Sequence, residues 1–328
     1  MATAFPSMRR VAVVHGRDVL WLDLWHIDHQ PIFLDGGVSS EPLEREAVPR
    51  LVDPGRVAID VGANVGVFAT LLADLFGPTG LVLAYEPAAT PLLVNATSRP
   101  QLLVRPFAVA DRGGTVAFRH HRSTTLSRIV PDAERRPGDA NLSTVTIDGE
   151  LQRLGLSRID FVKIDVEGHE DAVLRGAAGF LAREPRPVLM FEWIPDFRGR
   201  STEGPVGALA RLGGTGWRLF RAGWDRPPAP LPGLEEPDSP ATIFAFPPER
   251  PDRLTAFGFL IVQLTPLLPA GIERMRHVEP FIGGGAFFFA RRPERALLCD
   301  VNASLVITYL SVRDEVEAVI EGLERLSL

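Results

Sequence analysis

The sequence predicts an α/β fold, with a mostly parallel central sheet covered by helices, and three observations support this class. Short apolar runs bounded by turns and glycines recur along residues 55–250, which is typical of buried parallel strands. Helical segments alternate with these runs, and that alternation implies a sheet that is at least partly parallel. A glycine-rich turn, DVGANVG at 60–66, joins one such strand to a helix.

Periodicity and turn signals predict the individual elements in chain order. Residues 9–24 alternate around His15-Gly16 and predict a β-hairpin, and residues 40–52 predict a short helix. Further strands are predicted at 57–60, 81–85, 102–107, 114–120, 142–147, 161–164 and 187–191. Helices are predicted at 66–76, 88–97, 148–155 and 169–182. A closing hairpin is predicted from 217–221 and 241–246, around a proline-rich loop at 227–240.

The length of 328 residues suits one α/β domain with appendages. We expect an N-terminal hairpin and helix extension at 1–54, the main domain at 55–250, and a separate C-terminal unit at 251–328. The sequence has no internal repeat of the kind that builds solenoids.

The amino-acid composition limits which binding partners and which cellular compartment are expected for this protein. The net charge of −6 argues against a dedicated duplex-DNA binder, because phosphate neutralisation needs clustered basic residues. The single cysteine, Cys299, excludes an intrachain disulfide and favours a reducing, cytoplasmic compartment. Residues 1–10 lack the apolar core of a signal peptide, and the longest apolar stretch, 254–272, is interrupted by Pro266 and Pro269. No membrane segment is therefore expected.

Two motifs at the ends of neighbouring strands predict a nucleoside site. In DVGANVG the glycines allow a tight turn and close ligand approach, and the helix after Gly66 begins with free N–H groups. Glu86-Pro87 ends the next strand about 20 residues later, where an acidic side chain can accept hydrogen bonds from a ribose diol. The spacing GANVG departs from GxGxxG, which counts against a nicotinamide dehydrogenase.

A third motif, KIDVEGHE at 163–170, supplies acids and a histidine at the same edge of the sheet. Asp165 and Glu167 follow a predicted strand, and ligands of open α/β sheets bind at the carboxyl ends of the strands. Together with His169 they could take a proton, bind a metal or orient a hydroxyl. Asp171, by contrast, is expected only to stabilise the start of the following helix.

These motifs together resemble the FkbM family of S-adenosylmethionine-dependent methyltransferases. The matching segments, in family order, are DVGANVG (60–66), EP (86–87), RPFAVADRGGTVAF (105–118), TVTID (144–148), FVKIDVEGHEDAVLRGA (161–177) and PVLMFEW (187–193). The resemblance implies a class I, Rossmann-like methyltransferase domain with S-adenosylmethionine as its cofactor. It also implies O-methylation of a small-molecule hydroxyl, because the family acts mostly on sugars and polyketide- or macrolide-type metabolites.

The resemblance assigns roles residue by residue. The implied cofactor-binding residues are Asp60, Gly62, Asn64 and Gly66 for the methionine part, Glu86 and Pro87 for the ribose, and Ala108 and Val109 for the adenine. The candidate catalytic residues at the transfer site are Asp165, Glu167, His169 and Glu192.

Transfer of a methyl group to a hydroxyl requires that the acceptor oxygen is aligned with the S–CH₃ bond and that the hydroxyl loses its proton. The methyl group sits on a sulfonium, which is a good leaving group, so the acceptor oxygen must lie in line with the S–CH₃ bond, within about 3–3.5 Å. A carboxylate or His169 is the candidate base. The transfer does not strictly need a metal, although Asp165, Glu167 and Glu192 could gather a divalent ion that binds a diol.

The C-terminal unit carries a second glycine-rich segment, VEPFIGGGAFFFARRPERALLCDVN at 278–302. It resembles the N-terminal part of Dam-type adenine-specific DNA methyltransferases. That resemblance implies a second, vestigial cofactor site at Phe281, Gly283, Gly285, Asp300 and Asn302. The D/N-P-P-Y/F motif that this family needs to hold a flipped base does not occur in the chain. We expect a partial module, fused or truncated, without activity of its own.

Other functions and partners stay open at this point. An adenine-N6 DNA methyltransferase acting through the C-terminal unit would make nucleic acid a partner, and a non-catalytic cofactor-binding scaffold is a further alternative. The lid over the acceptor is expected from 9–24, 119–140 and 225–240, because acceptor pockets are built from variable loops. On the second of these loops, His120, His121 and Arg122 could contact an acidic substrate. An incomplete C-terminal unit would pack on the main domain or on a second copy, so a homo-oligomer is one expected state.

Overall fold

The computed structural model describes residues 10–15, 18–24, 26–34, 41–123, 127–130, 134–195, 204–212, 216–223, 226–231, 237, 239–258, 276–279 and 295–298. The chain divides into two compact units, Met1–Phe257 and Gly258–Leu328. Among the described residues, no helix is long and apolar enough to cross a membrane.

Within the described residues the chain forms sixteen strands and nine helices. The strands are β1 (Arg10–His15), β2 (Asp18–Asp23), β3 (Val57–Val61), β4 (Leu81–Tyr85), β5 (Leu102–Arg105), β6 (Ala108–Val109), β7 (Gly114–Arg119), β8 (Arg128–Val130), β9 (Ala140–Val145), β10 (Phe161–Ile164), β11 (Val188–Trp193), β12 (Arg218–Gly223), β13 (Arg226–Pro230), β14 (Ala241–Phe246), β15 (Arg276–Glu279) and β16 (Arg295–Leu298). The helices are α1 (His29–Leu34), α2 (Pro42–Leu51), α3 (Val67–Phe76), α4 (Thr90–Asn95), α5 (Ile147–Leu154), α6 (Glu170–Arg175), α7 (Ala178–Leu181), α8 (Pro205–Leu212) and α9 (Pro251–Gly258).

An eight-stranded sheet forms the centre of the first unit. Its strand order is β13-β12-β14-β11-β10-β3-β4-β5. The strands from β11 to β5 pair in parallel, as the alternation of strands and helices predicts. β14 pairs antiparallel with both β11 and β12, which confirms the predicted closing hairpin. The predicted α/β class with a mostly parallel sheet is therefore confirmed.

Helices cover both faces of this sheet because its central strands are apolar on both sides. On one face, the apolar cluster includes Leu151 of α5, Leu174 of α6, Leu181 of α7 and Leu209 of α8. On the other face, α3 packs on β3 and β4 and buries Phe68 among other apolar residues. Each such large side chain contributes roughly 1.5–3 kcal/mol when it is fully buried. The two layers hold the carboxyl ends of β3, β4 and β10 rigidly side by side.

A second sheet, with the order β6-β9-β7-β8, stands beside the first. The strand predicted at 102–107 ends at Arg105, and the chain joins the second sheet at Ala108–Val109, where β6 pairs in parallel with β9. The predicted polar loop at 119–140 contains the short strand β8, which pairs antiparallel with β7.

Two expected elements differ from the structure. The helix predicted at 169–182 is broken into α6 and α7, because Gly176 lies so close to the Ala110 carbonyl that a Cβ would be 2.1 Å from its oxygen. The Asp148 carboxylate then accepts hydrogen bonds from the first N–H groups of α7. The loop predicted at 227–240 begins instead with β13, and its prolines are tolerated because β13 is the edge strand of the sheet.

The predicted N-terminal hairpin is confirmed as β1 and β2, which pair antiparallel. Its inner face packs in one cluster with Val65, so the hairpin rests on the loop that follows β3. In the second unit the structure describes only β15 and β16, which pair in parallel.

Candidate active site

A cavity of about 150 Å³ lies at the carboxyl ends of β3, β4 and β10. Three segments that directly follow these strands line it, and they contain residues of all three sequence motifs. The rest of its wall comes from β6, β7, β8 and the segment around α1. The residues that line the cavity include His26, His29, Asn64, Glu86, Phe107, Val109, Phe118, His120, Ile129, Asp165, Glu167 and His169.

The loop after β3 is shaped by a close approach to β10. The Asp165 N–H donates to the Val61 carbonyl at 2.9 Å, and a Cβ on Gly62 would lie only 1.8 Å from the Asp165 carbonyl oxygen. Gly62 also has a φ of +79°, in the region that favours glycine. Only glycine therefore lets these two strand ends meet at the cavity.

Glu86 joins the first two motifs. Its Oε2 accepts a hydrogen bond from the Asn64 backbone N–H at 3.0 Å, and its Oε1 accepts one from the Ala88 N–H at 2.8 Å. Burial raises the pKa of the Glu86 carboxyl, and these two hydrogen bonds oppose that rise. Each carboxylate oxygen has a further lone pair, so the half-buried side chain can also accept hydrogen bonds from a ligand in the cavity.

Lys163 lies behind the cavity wall between two acids. Its Nζ donates to Asp165 Oδ2 at 2.7 Å and lies 4.9 Å above the Phe68 ring. Asp60, its register partner on β3, is fully buried, and burial raises the pKa of this carboxyl to about 6 although Lys163 lowers it. Burial lowers the pKa of Lys163, but the negative charges of Asp165, Asp60 and Glu41 together raise this pKa by more than burial lowers it. The ammonium therefore stays charged and keeps Asp165 oriented.

Glu170 folds the loop that carries Glu167. Its Oε1 accepts hydrogen bonds from the Val166 and Gly168 N–H groups, both at 3.1 Å, and burial raises the pKa of Glu170 to about 7. Between those two donors Glu167 adopts a left-handed conformation with a φ of 57°, and its side chain lines the cavity. Asp171 is fully buried and pairs with Arg175 at 2.6 Å, which is a structural contact.

Three carboxylates cluster at this edge of the sheet. Asp165, Glu167 and Glu192 each have an oxygen that lies within 4.8 Å of the other two. Burial, followed by the charges of Asp165, Glu167 and Glu170, raises the pKa of Glu192 to about 10. Glu192 thus carries a proton at neutral pH and can donate a hydrogen bond. Oxygens grouped in this way can also coordinate a hard divalent cation.

The structure brings most of the expected site residues together. The cofactor-binding candidates that line the cavity are Gly62, Asn64, Glu86, Pro87, Ala108 and Val109. Among the described residues, Asp60 and Gly66 are buried outside the lining. The catalytic candidates in the lining are Asp165, Glu167 and His169, whereas Glu192 is outside the lining with an oxygen within 4.8 Å of both acids. The residues expected to form a second site, Phe281, Gly283, Gly285, Asp300 and Asn302, lie outside the described residues.

Sequence reasoning missed several residues of the cavity wall. His26 and His29 come from the segment after β2, and Phe118 and Ile129 come from β7 and β8. Of the three loop residues expected to meet a substrate, His120 lines the cavity and packs edge-on against Phe118. The spacing of His26 and His29 on one turn was the only available signal, and it did not indicate which strand ends they would meet.

Two family models match the chain. Residues 60–203 match the methyltransferase FkbM domain, and residues 260–328 match the D12 class N6 adenine-specific DNA methyltransferases. Both resemblances noted from the sequence motifs are thereby confirmed.

Individual relatives match parts of the chain. AMB antimetabolite synthetase AmbE of Pseudomonas aeruginosa is 28% identical over 253 residues, 64% of this chain and 11% of its own length. The 31-O-demethyl-FK506 methyltransferase FkbM of Streptomyces tacrolimicus is 31% identical over 156 residues, 38% of this chain and 60% of its own length. Type II methyltransferase M1.LlaDCHI of Lactococcus lactis is 44% identical over 50 residues, 15% of this chain and 18% of its own length. The chain thus spans less than two thirds of each of these relatives.

The family match and the geometry agree. The matched domain begins at Asp60 in β3 and includes the loop after β3, Glu86 and the KIDVEGHE motif, all of which meet at one edge of the sheet. The sheet, with its parallel strands and the antiparallel β14 inserted beside β11, has the class I S-adenosylmethionine-dependent methyltransferase fold. Residues 60–203 are therefore the part of the chain that is similar to the methyltransferase FkbM domain.

Proposed function

We propose that this methyltransferase transfers the methyl group of S-adenosylmethionine to a hydroxyl oxygen of a small molecule. The observation that carries the proposal is that the loop after β3, Glu86, Ala108–Val109 and residues 165–169 line one cavity. These segments supply, in order, groups suited to the methionine part, the ribose, the adenine and the reacting atoms of that cofactor.

The cavity walls suit the parts of a nucleoside. Glu86 is half-buried, and its carboxylate has lone pairs free for a ribose diol besides those that accept the Asn64 and Ala88 N–H groups. Phe107 and Val109 offer apolar surface for the faces of an adenine ring. Gly62 lines the cavity, so its backbone is within reach of a ligand there.

The charges around the cavity also favour a cationic ligand. The carboxyl groups of Glu41, Asp60 and Asp165 lie around a single ammonium, that of Lys163. S-Adenosylmethionine brings a sulfonium and an ammonium against one carboxylate, so it would offset part of this excess of negative charge. This excess favours S-adenosylmethionine over neutral nucleosides.

When bound, S-adenosylmethionine supplies a methyl group on a positively charged sulfur. The side chains at the end of β10 would hold the acceptor hydroxyl in line with that methyl group. The hydroxyl proton would pass to Glu167 or His169 as the acceptor oxygen forms its bond to the methyl carbon and the sulfur keeps the electron pair. Asp165 is held by Lys163, so it acts as a fixed negative charge that orients these groups.

The small-molecule acceptor is supported by the relatives and by the shape of the site. The Streptomyces relative is named for methylation of an O-demethylated compound, and this chain is similar to it over 156 residues. The site is a cavity between β6, β7, β8 and the segment around α1, which suits a compact acceptor.

The first test measures cofactor binding. The full chain, a Glu86→Ala variant and a Glu46→Ala control are titrated with S-adenosylmethionine in a calorimeter. Glu46 is an exposed acid of α2 that pairs with its helix neighbour Arg50, so its loss should leave binding unchanged. We expect Glu86→Ala to weaken binding by about 1–3 kcal/mol, because ribose hydroxyls would lose their acceptor. Equal binding by all three proteins, or none by the wild type, would contradict the proposal.

A second candidate activity, methylation of adenine in DNA, has one observation in its favour. Residues 260–328 match the adenine-specific family model, and part of the chain is 44% identical to the Lactococcus enzyme. Incubation of the full chain with DNA and methyl-labelled S-adenosylmethionine tests it. We expect no labelled adenine, because the chain has no D/N-P-P-Y/F motif to hold a flipped base. Labelled N6-methyladenine would establish this second activity.

A further inference from the structure

We propose that His29 is a positioning residue of the cofactor loop, and that the N-terminal arm is an integral part of the cofactor site. The N-terminal arm comprises β1, β2, α1 and the described residues between β2 and α1, and the cofactor loop comprises residues 62–66. The arm lies outside the residues matched by the FkbM family model. The inference rests on the proposed binding of S-adenosylmethionine in the cavity.

Both ring nitrogens of His29 make hydrogen bonds, and the residue is only 1% exposed. Nδ1 lies 3.0 Å from the Asp23 carbonyl oxygen, and Nε2 lies 3.0 Å from Asn64 Oδ1. A carbonyl oxygen only accepts, so Nδ1 carries a proton. Nε2 then has two options. It carries a proton and donates to Asn64 Oδ1, or it accepts from the Asn64 side-chain N–H after the amide group is rotated by about 180°. In both cases His29 fixes the Asn64 side chain against the arm.

Asn64 is also hydrogen-bonded to Glu86, the proposed ribose-binding acid, so the restraint on Asn64 extends to Glu86. The Asn64 backbone has a φ of 51°, a left-handed conformation that Asn adopts more readily than most other residues. In this conformation the Asn64 N–H donates to Glu86 Oε2 at 3.0 Å. A continuous chain of contacts therefore runs from the Asp23 carbonyl through His29 and Asn64 to Glu86.

A second set of contacts holds the arm against the cofactor loop. The buried Asn95 of α4 accepts from the Trp21 N–H at 2.7 Å, and its Nδ2 donates to the carbonyls of Trp21 at 3.1 Å and Val65 at 2.7 Å. Val65 also packs in one apolar cluster with Leu20 and Leu22 of the arm. The cofactor loop is thus clamped between the arm and α4.

The arm also reaches the opposite side of the cavity. The Ile27 N–H donates to the Arg122 carbonyl at 2.7 Å, and Ser123 Oγ donates to Asp28 Oδ1 at 3.1 Å. These contacts do not touch the cofactor loop. They therefore offer a way to loosen the arm without releasing Asn64.

If His29 positions the loop, its loss should weaken cofactor binding without unfolding the protein. Without His29, Asn64 would have to be ordered at the moment of binding, and that ordering would reduce affinity. S-Adenosylmethionine and S-adenosylhomocysteine should be affected alike, because both would contact the same loop. An effect of this kind separates positioning from a direct role of His29 in proton transfer.

The experiment compares variants of the full chain by calorimetric titration with both ligands, after thermal unfolding has confirmed that each is folded. His29→Phe keeps a ring but removes both hydrogen bonds. His29→Gln places an amide near the position of Nε2, and His29→Asn places one near the position of Nδ1. Asn64→Ala and the double variant His29→Phe/Asn64→Ala complete a double-mutant cycle. Ser123→Ala is the control, because it removes the contact of Ser123 with Asp28 of the arm and leaves the contact between His29 and Asn64 in place.

We expect His29→Phe and Asn64→Ala each to weaken binding of both ligands by roughly tenfold, and the double variant to be no worse than either, since they act on one contact. His29→Gln should bind better than His29→Asn, and Ser123→Ala should bind as the wild type does.

Three results would overturn the inference. They are a folded His29→Phe with wild-type affinity, fully additive losses in the double variant, or a Ser123→Ala loss as large as that of His29→Phe. If His29→Phe does not fold, the comparison of His29→Gln with His29→Asn decides, and better binding by His29→Asn refutes the role. A wild type that binds neither ligand would refute the proposed function itself, whereas a binding wild type with unaffected variants would refute only the role of His29.

Discussion

Gly62 occupies a position where any side chain would collide with another strand. An added Cβ would lie 1.8 Å from the Asp165 carbonyl oxygen, and the φ of +79° adds strain for an L-residue. We predict that Gly62→Ala lowers the free energy of unfolding by about 2–4 kcal/mol. It should also abolish binding of S-adenosylmethionine, because β3 and β10 would be forced apart at the cavity.

Gly77→Ala is the matched control for this prediction. Gly77 also has a left-handed φ of +67°, but among the described residues no more distant part of the chain has an atom within 4 Å of its added Cβ. Denaturant unfolding should show a loss of only about 1–2 kcal/mol for this variant, with binding retained. Similar losses in both variants would mean that backbone strain, and not the contact with Asp165, requires the glycine at position 62.

Residues close together in the sequence were predicted better than residues that meet only in space. Asn64 and Glu86 were predicted to bind the cofactor because each follows a strand in a recognisable motif, and both line the cavity. His29 was missed because its partner Asn64 is 35 residues away along the chain, and no local pattern indicates that contact.

At the scale of elements, β10 depends on one cation. Lys163 is the only lysine among 35 Lys and Arg residues, and it links β10 to Asp60 on β3 and to the ring of Phe68 on α3. A compact ammonium fits among these buried acids, whereas a planar guanidinium needs more space. The structure thus gives a physical reason for a lysine at this position.

We predict that Lys163→Met destabilises the fold by about 3–5 kcal/mol, because it leaves the fully buried Asp60 and the partly buried Asp165 without their counter-charge. Denaturant unfolding at neutral pH measures this loss. The control is Arg50→Met, which removes an exposed i,i+4 ion pair with Glu46 and should cost less than about 1 kcal/mol. Equal losses in the two variants would show that Lys163 contributes no more than a surface charge.

Elements that depend on distant contacts were the ones predicted incorrectly. Helical periodicity continues through 169–182, but the close packing of Gly176 on Ala110 ends α6 and allows α7 to start at a cap supplied by Asp148. Prolines at 227–230 indicate a loop, yet an edge strand needs hydrogen bonds on one side only. Neither outcome is encoded in the local sequence.

At the scale of the whole molecule, the acids around the cavity couple cofactor binding to pH. Burial raises the pKa of Asp60 to about 6 and that of Glu170 to about 7, so both groups are partly protonated near neutral pH. A cation bound nearby favours the charged form of a carboxyl and lowers its pKa. Binding of S-adenosylmethionine should therefore release protons, and its affinity should rise as the pH increases from about 5.5 to 7.5.

Calorimetry in two buffers of different ionisation enthalpy measures the number of protons released. S-Adenosylhomocysteine is the control ligand, because it lacks the sulfonium charge and should release fewer protons at the same pH. Proton uptake, or equal release with both ligands, would contradict this electrostatic account of the site.

The sequence by itself determined the alternation of strands and helices and the resemblance of the domain to the FkbM family, and it predicted the cofactor loop and the ribose-binding acid. These features are local, because side-chain periodicity and turn chemistry depend on neighbouring residues. The tertiary structure alone decided that the N-terminal arm clamps the cofactor loop, that the predicted helix breaks at Gly176, and that acids from several elements share one ammonium. Those features depend on burial and on contacts between residues far apart in the chain, such as Trp21 and Asn95, which are 74 positions apart.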